Sequence, residues 1–270
     1  MTTPDSKYTI EPKQFADRQA LIDHVAVLSP RDEPAAAGVL EGSPMAAQSR
    51  LDALDPAAYA KGRNFLEGPV TRLSPYIRHG MIALNTARNR GLEKVRRPDE
   101  AEKFIQELSW RDYWLRVARR NPQWLWQDIE DYKTGFRASE YAAELPADIA
   151  AGETGVAAID GLITMLREDG YLHNHGRMYL AAYIVHWRRV CWQAGARFML
   201  SHLVDADTAS NNFSWQWVAS TFSRKPYIFN LENMRKYCGS LINTDDRHNT
   251  PLAAGYDVLA LRLFPNMEPM

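Results

Sequence analysis

The chain has 270 residues, 46% of them hydrophobic, and its 32 lysines and arginines nearly cancel 33 aspartates and glutamates. That length can bury a substantial core. The balanced charge excludes the global basic bias of many nucleic-acid binders, so any polyanion site has to be local. Cys191 and Cys238 are the only cysteines and form no CxxC pair, which argues against a disulfide framework or a structural zinc site and points to a reducing, cytoplasmic setting. The longest apolar run, MYLAAYIV at 178–185, falls far short of the ~18 residues of a membrane span. The N-terminus lacks the apolar region of a signal peptide.

In chain order, residues 1–58 are rich in proline, alanine and charge, with one moderate apolar stretch at 20–28. They are expected to form an N-terminal arm wrapping the outside of a helical domain. From residue 59 helical signals follow one another without alternating strands or an internal repeat, so the expected fold class is all-α. A helix can start at Pro98 and run to Pro122, with acids in its first turn and arginines in its last. A second starts after Thr154, carries Ile159, Leu162, Ile163 and Leu166 at helical spacing and ends near Gly170. A third is expected over 172–194. The helical domain is taken as 59–240 and residues 241–270 as an irregular or weakly helical tail.

Candidate chemistry falls on these segments. Phe104, Glu107 and Arg111 share one helix face beside Leu108. The plain reading is a solvated Glu107–Arg111 ion pair; Trp110 and Trp114 nearby weigh against it. Asn174, Arg177 and Met178 lead an apolar stripe through Ala181 and Val185. His173 and His175 form an HxH pair, but no further ligand stands at a metal-binding spacing, which favours a structural or substrate-contact role. Residues 205–217, DADTASNNFSWQW, crowd acids and amides against tryptophans, and polar atoms buried there need partners. As a calcium loop the stretch fails at Ser210 and Gln216, where glycine and glutamate belong. No GxSxG elbow supports a nucleophilic triad. A polar cradle around an aromatic, hydrogen-bonding cofactor remains. PVTRLSPYIRHG at 69–80 adds the hydroxyls of Thr71 and Ser74, with Ser74-Pro75 expected as a helix N-cap whose free backbone N–H groups suit a phosphate.

Taken in order, TRLSPYIRHG, ELSWRDYW, GYLHNHGRMYLAAYIVHW, FMLSHLVDADTASNNFSWQWVAST and PYIFN closely resemble the FAD-binding domain of the photolyase and cryptochrome family over roughly residues 59–230. The resemblance implies an all-helical domain holding FAD in a U shape, with light driving an electron from reduced flavin to a pyrimidine dimer in damaged DNA. It implies Thr71, Arg72, Leu73 and Ser74 around the FAD phosphates, with Phe104, Arg111, Asn174, Arg177, Asp205, Asp207 and Asn211 along the rest of the cofactor. Asn211 matches the residue facing flavin N5, an amide in photolyases. Glu107, Trp110, Met178 and Trp217 match lesion contacts of dimer photolyases, where tryptophans stack on bases and methionine fills an irregular gap. Asn174 and Met178 stand where (6-4) enzymes carry histidines, which disfavours that substrate. Trp215 and Trp192 match the first two members of an electron relay to the flavin; core packing is the plain alternative. The third member has no clear tryptophan counterpart, and Tyr141 is the nearest aromatic candidate, so the relay is expected to end on a tyrosine or another tryptophan.

Departures accompany the matches. Fifty-eight residues are too few for the family's N-terminal α/β domain, so no antenna chromophore is expected. Val70 stands where a threonine commonly begins the phosphate motif, and Phe104 replaces a common tryptophan. His175 occupies a position often held by arginine, which predicts a weaker or pH-dependent DNA contact. PYIFN continues with Leu231 where a proline is typical, putting the C-terminal part of the DNA surface in doubt. Two functions follow: a minimal photolyase of cyclobutane pyrimidine dimers favouring single-stranded DNA, where unpairing costs less, or a repair-inactive blue-light receptor or redox flavoprotein.

Overall fold

The computed structural model describes residues 14–28 and 39–267. The chain divides into two compact units, Met1–Val39 and Leu40–Met270. In the first, α1 (Arg18–Leu28) starts where Asp17 Oδ1 accepts from Ala20 N at 2.8 Å, and the Phe15 and His24 rings lie 5.1 Å apart.

The second unit opens with α2 (Pro44–Asp52) and α3 (Pro56–Gly62), each with proline at its start behind a capping side chain. Ser43 Oγ accepts from Ala46 N at 3.1 Å and Asp55 Oδ1 from Ala58 N at 2.9 Å. With α4 (Ser74–Arg78), α5 (Leu84–Glu93) and α6 (Glu102–Arg120) they enclose a smaller core of Ala47, Leu51, Leu54, Leu73, Tyr76 and Phe104. The expected boundary at residue 58 therefore falls inside this unit: Leu51 and Leu54 are core residues, because they bury against α5 and α6 rather than lying over a finished surface. The rest of the expected arm, residues 1–13 and 29–38, lies outside the described residues.

The larger core is built by α7 (Ala147–Ala151), α8 (Ala157–Asp169), α9 (Asn174–Ala182), α10 (Trp192–His202), α11 (Thr208–Ala219) and α12 (Leu231–Cys238). In α8, Ile159, Leu162, Ile163 and Leu166 are fully buried, and Gly170 at φ 63° ends the helix in the left-handed region. The single helix expected over 172–194 is interrupted. After α9 come a π-helical turn, Tyr183–Trp187, a break, and then α10. At the break Arg189 has φ 50°, Ala142 N donates to Arg189 O at 2.7 Å and Cys191 N to Ala142 O at 2.9 Å. The chain at Ala142 thus takes backbone groups that a continuing helix needs. This isolated bridge aside, the described residues form no β-structure. Residues 241–267 are short turns and α13 (Tyr256–Leu263), yet Ile242 and Leu252 pack into the larger core.

Histidines in this core make it acid-sensitive. His186, in the π turn, is 1% exposed, and one of its ring nitrogens lies 3.0 Å from Val218 O. Burial pushes its pKa down to about 3, and burial likewise lowers His173 and His175 to about 4. Each ring is neutral in the folded chain at neutral pH, whereas the unfolded chain protonates below ~6.5, so stability is complete above that pH and is lost as pH falls toward 4. The melting temperature followed by circular dichroism is expected to drop steadily from pH 7 to pH 5. A flat profile contradicts this account.

Candidate functional site

Where the two cores meet, α3, α4, α6, α9, α10 and α11 leave a cleft of two adjoining lobes, of about 290 Å³ and 200 Å³. Tyr59, Ser74, Glu107, Arg111, Tyr171 and Asn174 line both. Apolar walls come from Leu172, Ala181, Met199, Leu203 and Val218 in one lobe and from Leu73, Ile77, Phe104 and Leu108 in the other.

Two acids organise the polar side. Asp205, 5% exposed, accepts both Nη2 contacts of Arg177, at 2.9 and 3.0 Å, while Arg177 Nε donates to Leu172 O at 2.7 Å. Burial pushes the Asp205 carboxyl up, but the charge and hydrogen bonds of Arg177, then the hydroxyl of Ser74 and the charge of Arg111, outweigh it and hold the group below its ordinary range. Asp207 caps α11 by accepting from Ser210 N at 2.7 Å and pairs with Arg111 at 3.5 Å. The plain reading of Glu107 and Arg111 as an intrahelical pair is replaced: Arg111 turns to Asp207, and Glu107 meets Lys103 at 2.9 Å and Arg63 at 3.4 Å.

The DADTASNNFSWQW stretch divides its polar groups between two faces of α11. Asn211 lines the cleft, its amide donating to Asn212 Oδ1 at 3.0 Å. Asn212 and Gln216 point elsewhere: Asn212 Nδ2 donates to Leu125 O at 2.5 Å, Gln216 Nε2 to Trp124 O at 2.7 Å, and Gln216 Oε1 accepts from Ile129 N at 3.1 Å. They bind the 124–129 segment to α11. Trp215, 2% exposed, lines the cleft, and its ring lies so close to Gly195 of α10 that a Cβ there would stand 2.3 Å from it. Trp192 is fully buried three residues before Gly195.

Thr71, Arg72, Leu73 and Ser74 line the second lobe as expected by the motif, with one correction. Leu73, not Ser74, takes the N-cap position of α4, without a side-chain cap; the Ser74 hydroxyl is committed to Asp205. Arg72, at φ 50°, lies 5.3 Å from the Tyr171 ring centroid and Arg177 lies 5.5 Å from it. Phe104 walls the same lobe, edge-on to Tyr59 at 5.7 Å. Glu107, Asn174 and Met178 line the larger lobe, the Asn174 amide reaching Met178 Sδ at 3.6 Å. Trp110 and Trp217 do not line it. They stand 44% and 42% exposed, one helical turn beyond the lining residues Glu107 and Ser214.

Tyr59, Tyr171, Arg63 and Ser210 were not singled out from the sequence, yet all four belong to the lining. Tyr171 could have been found, since it opens the GYLHNHGRMY block; Tyr59 carried no local signal. Burial, followed by the charge of Glu107, raises the Tyr59 hydroxyl to about 12, so it stays a donor in the cleft. His175 packs against the Tyr179 and Tyr237 rings, and its lowered pKa leaves it uncharged at neutral pH.

The family described as the FAD binding domain of DNA photolyase matches residues 104–240. This chain belongs to that family. A deoxyribodipyrimidine photo-lyase of Halobacterium salinarum is 34% identical over 244 residues, covering 82% of this chain and 49% of the relative. That of Streptomyces griseus is 35% identical over 166 residues, 61% of this chain and 35% of the relative. The chain thus spans half or less of the length of these curated relatives. Among solved structures, a class III photolyase from Agrobacterium tumefaciens superposes with a TM-score of 0.63 at 23% identity, over 84% of this chain and 46% of that one. A Synechocystis cryptochrome gives 0.68 at 21%, over 82% and 50%. Both share the helical fold.

The cofactor of the photolyase FAD-binding domain is FAD, and the cleft suits it. Trp215 Nε1 and Ser210 Oγ are buried in the lining without a protein partner, arginines face the lobes, and apolar walls flank them. Because Gly195 leaves no room beside Trp215, Gly195→Ala is expected to tilt that ring, to destabilise the fold by about 1–3 kcal/mol, and to lower the flavin retained on purification. Undiminished flavin at unchanged stability contradicts this role.

Proposed function

We propose that this chain is the flavin-bearing part of a light-driven photolyase that repairs cyclobutane pyrimidine dimers, with single-stranded DNA as its preferred substrate and the cytoplasm as its place of action. Bound and reduced FAD supplies, on illumination, the electron that splits the dimer. The observation carrying the proposal is the cleft wall on which Glu107, Asn174 and Met178 converge, with Trp110 and Trp217 each one helical turn beyond it.

In this reading Arg177, Arg111, Asp205, Asp207 and Asn211 hold and orient the flavin and its sugar groups, and Thr71, Arg72, Leu73 and Ser74 hold its phosphates. The carboxylate of Glu107 presents acceptors to the imide N–H of a pyrimidine. Met178 packs against the lesion, while exposed Trp110 and Trp217 stack on bases turned out of the strand. The neutral state of His175 and the near-zero net charge favour single strands, whose bases need no unpairing and whose capture leans less on phosphate contacts. Trp215 and Trp192 serve as electron donors toward the cleft.

Illumination of the reduced, FAD-loaded protein with single-stranded DNA carrying a thymine dimer is expected to restore thymines, and to do so more slowly on duplex DNA. Glu107→Ala is expected to cut the rate about tenfold, the cost of one hydrogen bond to a charged group. Bound and reduced flavin with no restored thymines would instead favour the repair-inactive receptor.

A further inference from the structure

An electron relay needs an end, and the surroundings of Trp192 choose it. Trp126 stacks on Trp192 with centroids 6.3 Å apart and planes 6° from parallel, and it is only half-buried. It is the obvious next step. Yet the Arg197 guanidinium lies 4.7 Å from the centre of the Trp126 ring, where its positive charge opposes an oxidised, cationic indole. Trp192 has the opposite neighbour: its Nε1 donates to Asp128 Oδ1 at 2.6 Å, and Gln193 Nε2 donates to the same oxygen at 3.0 Å. Asp128 is held there by the amides of Gln216 and Asn212, which fasten Trp124, Leu125 and Ile129 to α11.

Tyrosines offer no better exit. Tyr132 and Tyr141 stack at 4.2 Å. The Tyr132 hydroxyl feels the charge of Asp128, but its hydrogen bond is to the Trp192 backbone, and the Tyr141 hydroxyl meets the Thr134 hydroxyl at 2.7 Å and the Arg189 guanidinium. None of these hydrogen-bond partners is a base, and a tyrosine must shed its proton when oxidised.

We infer that the relay ends on Trp192, with Asp128 as its proton acceptor, and that Trp126 is a packing residue rather than a third member. The inference rests on the light-driven reading above. Trp192 gives one electron to the oxidised Trp215, whose own electron has gone to light-excited oxidised flavin. The Nε1–H bond of Trp192 breaks and an O–H bond forms on Asp128. One electron and one proton have moved, leaving a neutral indolyl radical and a carboxylic acid. An oxidised indole is a far stronger acid than indole itself, so a carboxylate already hydrogen-bonded to it takes the proton without rearrangement. The charge cannot return until the proton does, which makes a third, surface tryptophan unnecessary.

Flash photolysis of the oxidised, FAD-loaded protein tests this, because neutral and cationic tryptophanyl radicals differ in their visible spectra and a protonated carboxyl has its own infrared band. The wild type is expected to show the neutral radical and the carboxyl band rising together. Asp128→Asn, which keeps the hydrogen bond but not the base, is expected to leave a cationic radical that recombines about 100-fold faster. Asp128→Glu restores the neutral species, and Trp126→Phe leaves its yield and lifetime unchanged. Flavin content and helicity matching the wild type exclude misfolding in each variant. A Trp126→Phe lifetime as short as that of Asp128→Asn, or a long-lived neutral radical in Asp128→Asn, overturns the inference. No tryptophanyl radical in the wild type, with flavin bound, overturns the relay itself while leaving dimer repair by reduced flavin standing.

Discussion

Two carboxylates, two residues apart, set the shape of this domain. Asp205 and Asp207 stand beside an apolar cleft, where an unpaired charge costs several kcal/mol, and so each has to recruit a cation. Asp205 draws in Arg177 from α9 and the hydroxyl of Ser74 from α4; Asp207 draws in Arg111 from α6 while capping α11. Four helices distant in sequence thereby meet around one point. The same contacts leave arginines facing the two lobes, so the pairing that relieves the buried acids also prepares the walls for an anionic, hydrogen-bonding cofactor.

The helix α11 serves two masters, which accounts for its mixed composition. Asn211, Ser214, Trp215 and Val218 look into the cleft. Asn212 and Gln216, four residues apart and therefore on one face, look the other way and fasten the segment carrying Trp126 and Asp128. Neither face is a simple apolar stripe, because one must satisfy a cofactor and the other the backbone of an irregular loop. The electronic environment of Trp192 is a by-product of that second face: the amides position the loop, and the loop positions the carboxylate.

Glu107 in the cleft lining is shared between Lys103 and Arg63, and His175 is neutral among tyrosines.

The sequence by itself determined the all-α class, the end of α6 and the bounds of α8, while the start expected at Pro98 is a 3-10 turn, Pro98–Ala101, ahead of α6; the family resemblance of its motif implied the lining residues Arg111, Asn174, Arg177, Asp205, Asp207 and Asn211. These are properties of local spacing, caps and a dense motif, which no distant contact alters. Tertiary structure decided the rest. The break between α9 and α10 depends on Ala142 capturing backbone groups at 189–191. The inclusion of α2 in the smaller core depends on α5 and α6 offering a surface to Leu51 and Leu54. Arg111 left Glu107 for Asp207, and Ser74 gave up a cap for Asp205, because a buried carboxylate outbids a solvated partner. Asp128, the neighbour that distinguishes Trp192 from the other tryptophans, lies 64 residues away from it, and no periodicity along the chain could bring the two together.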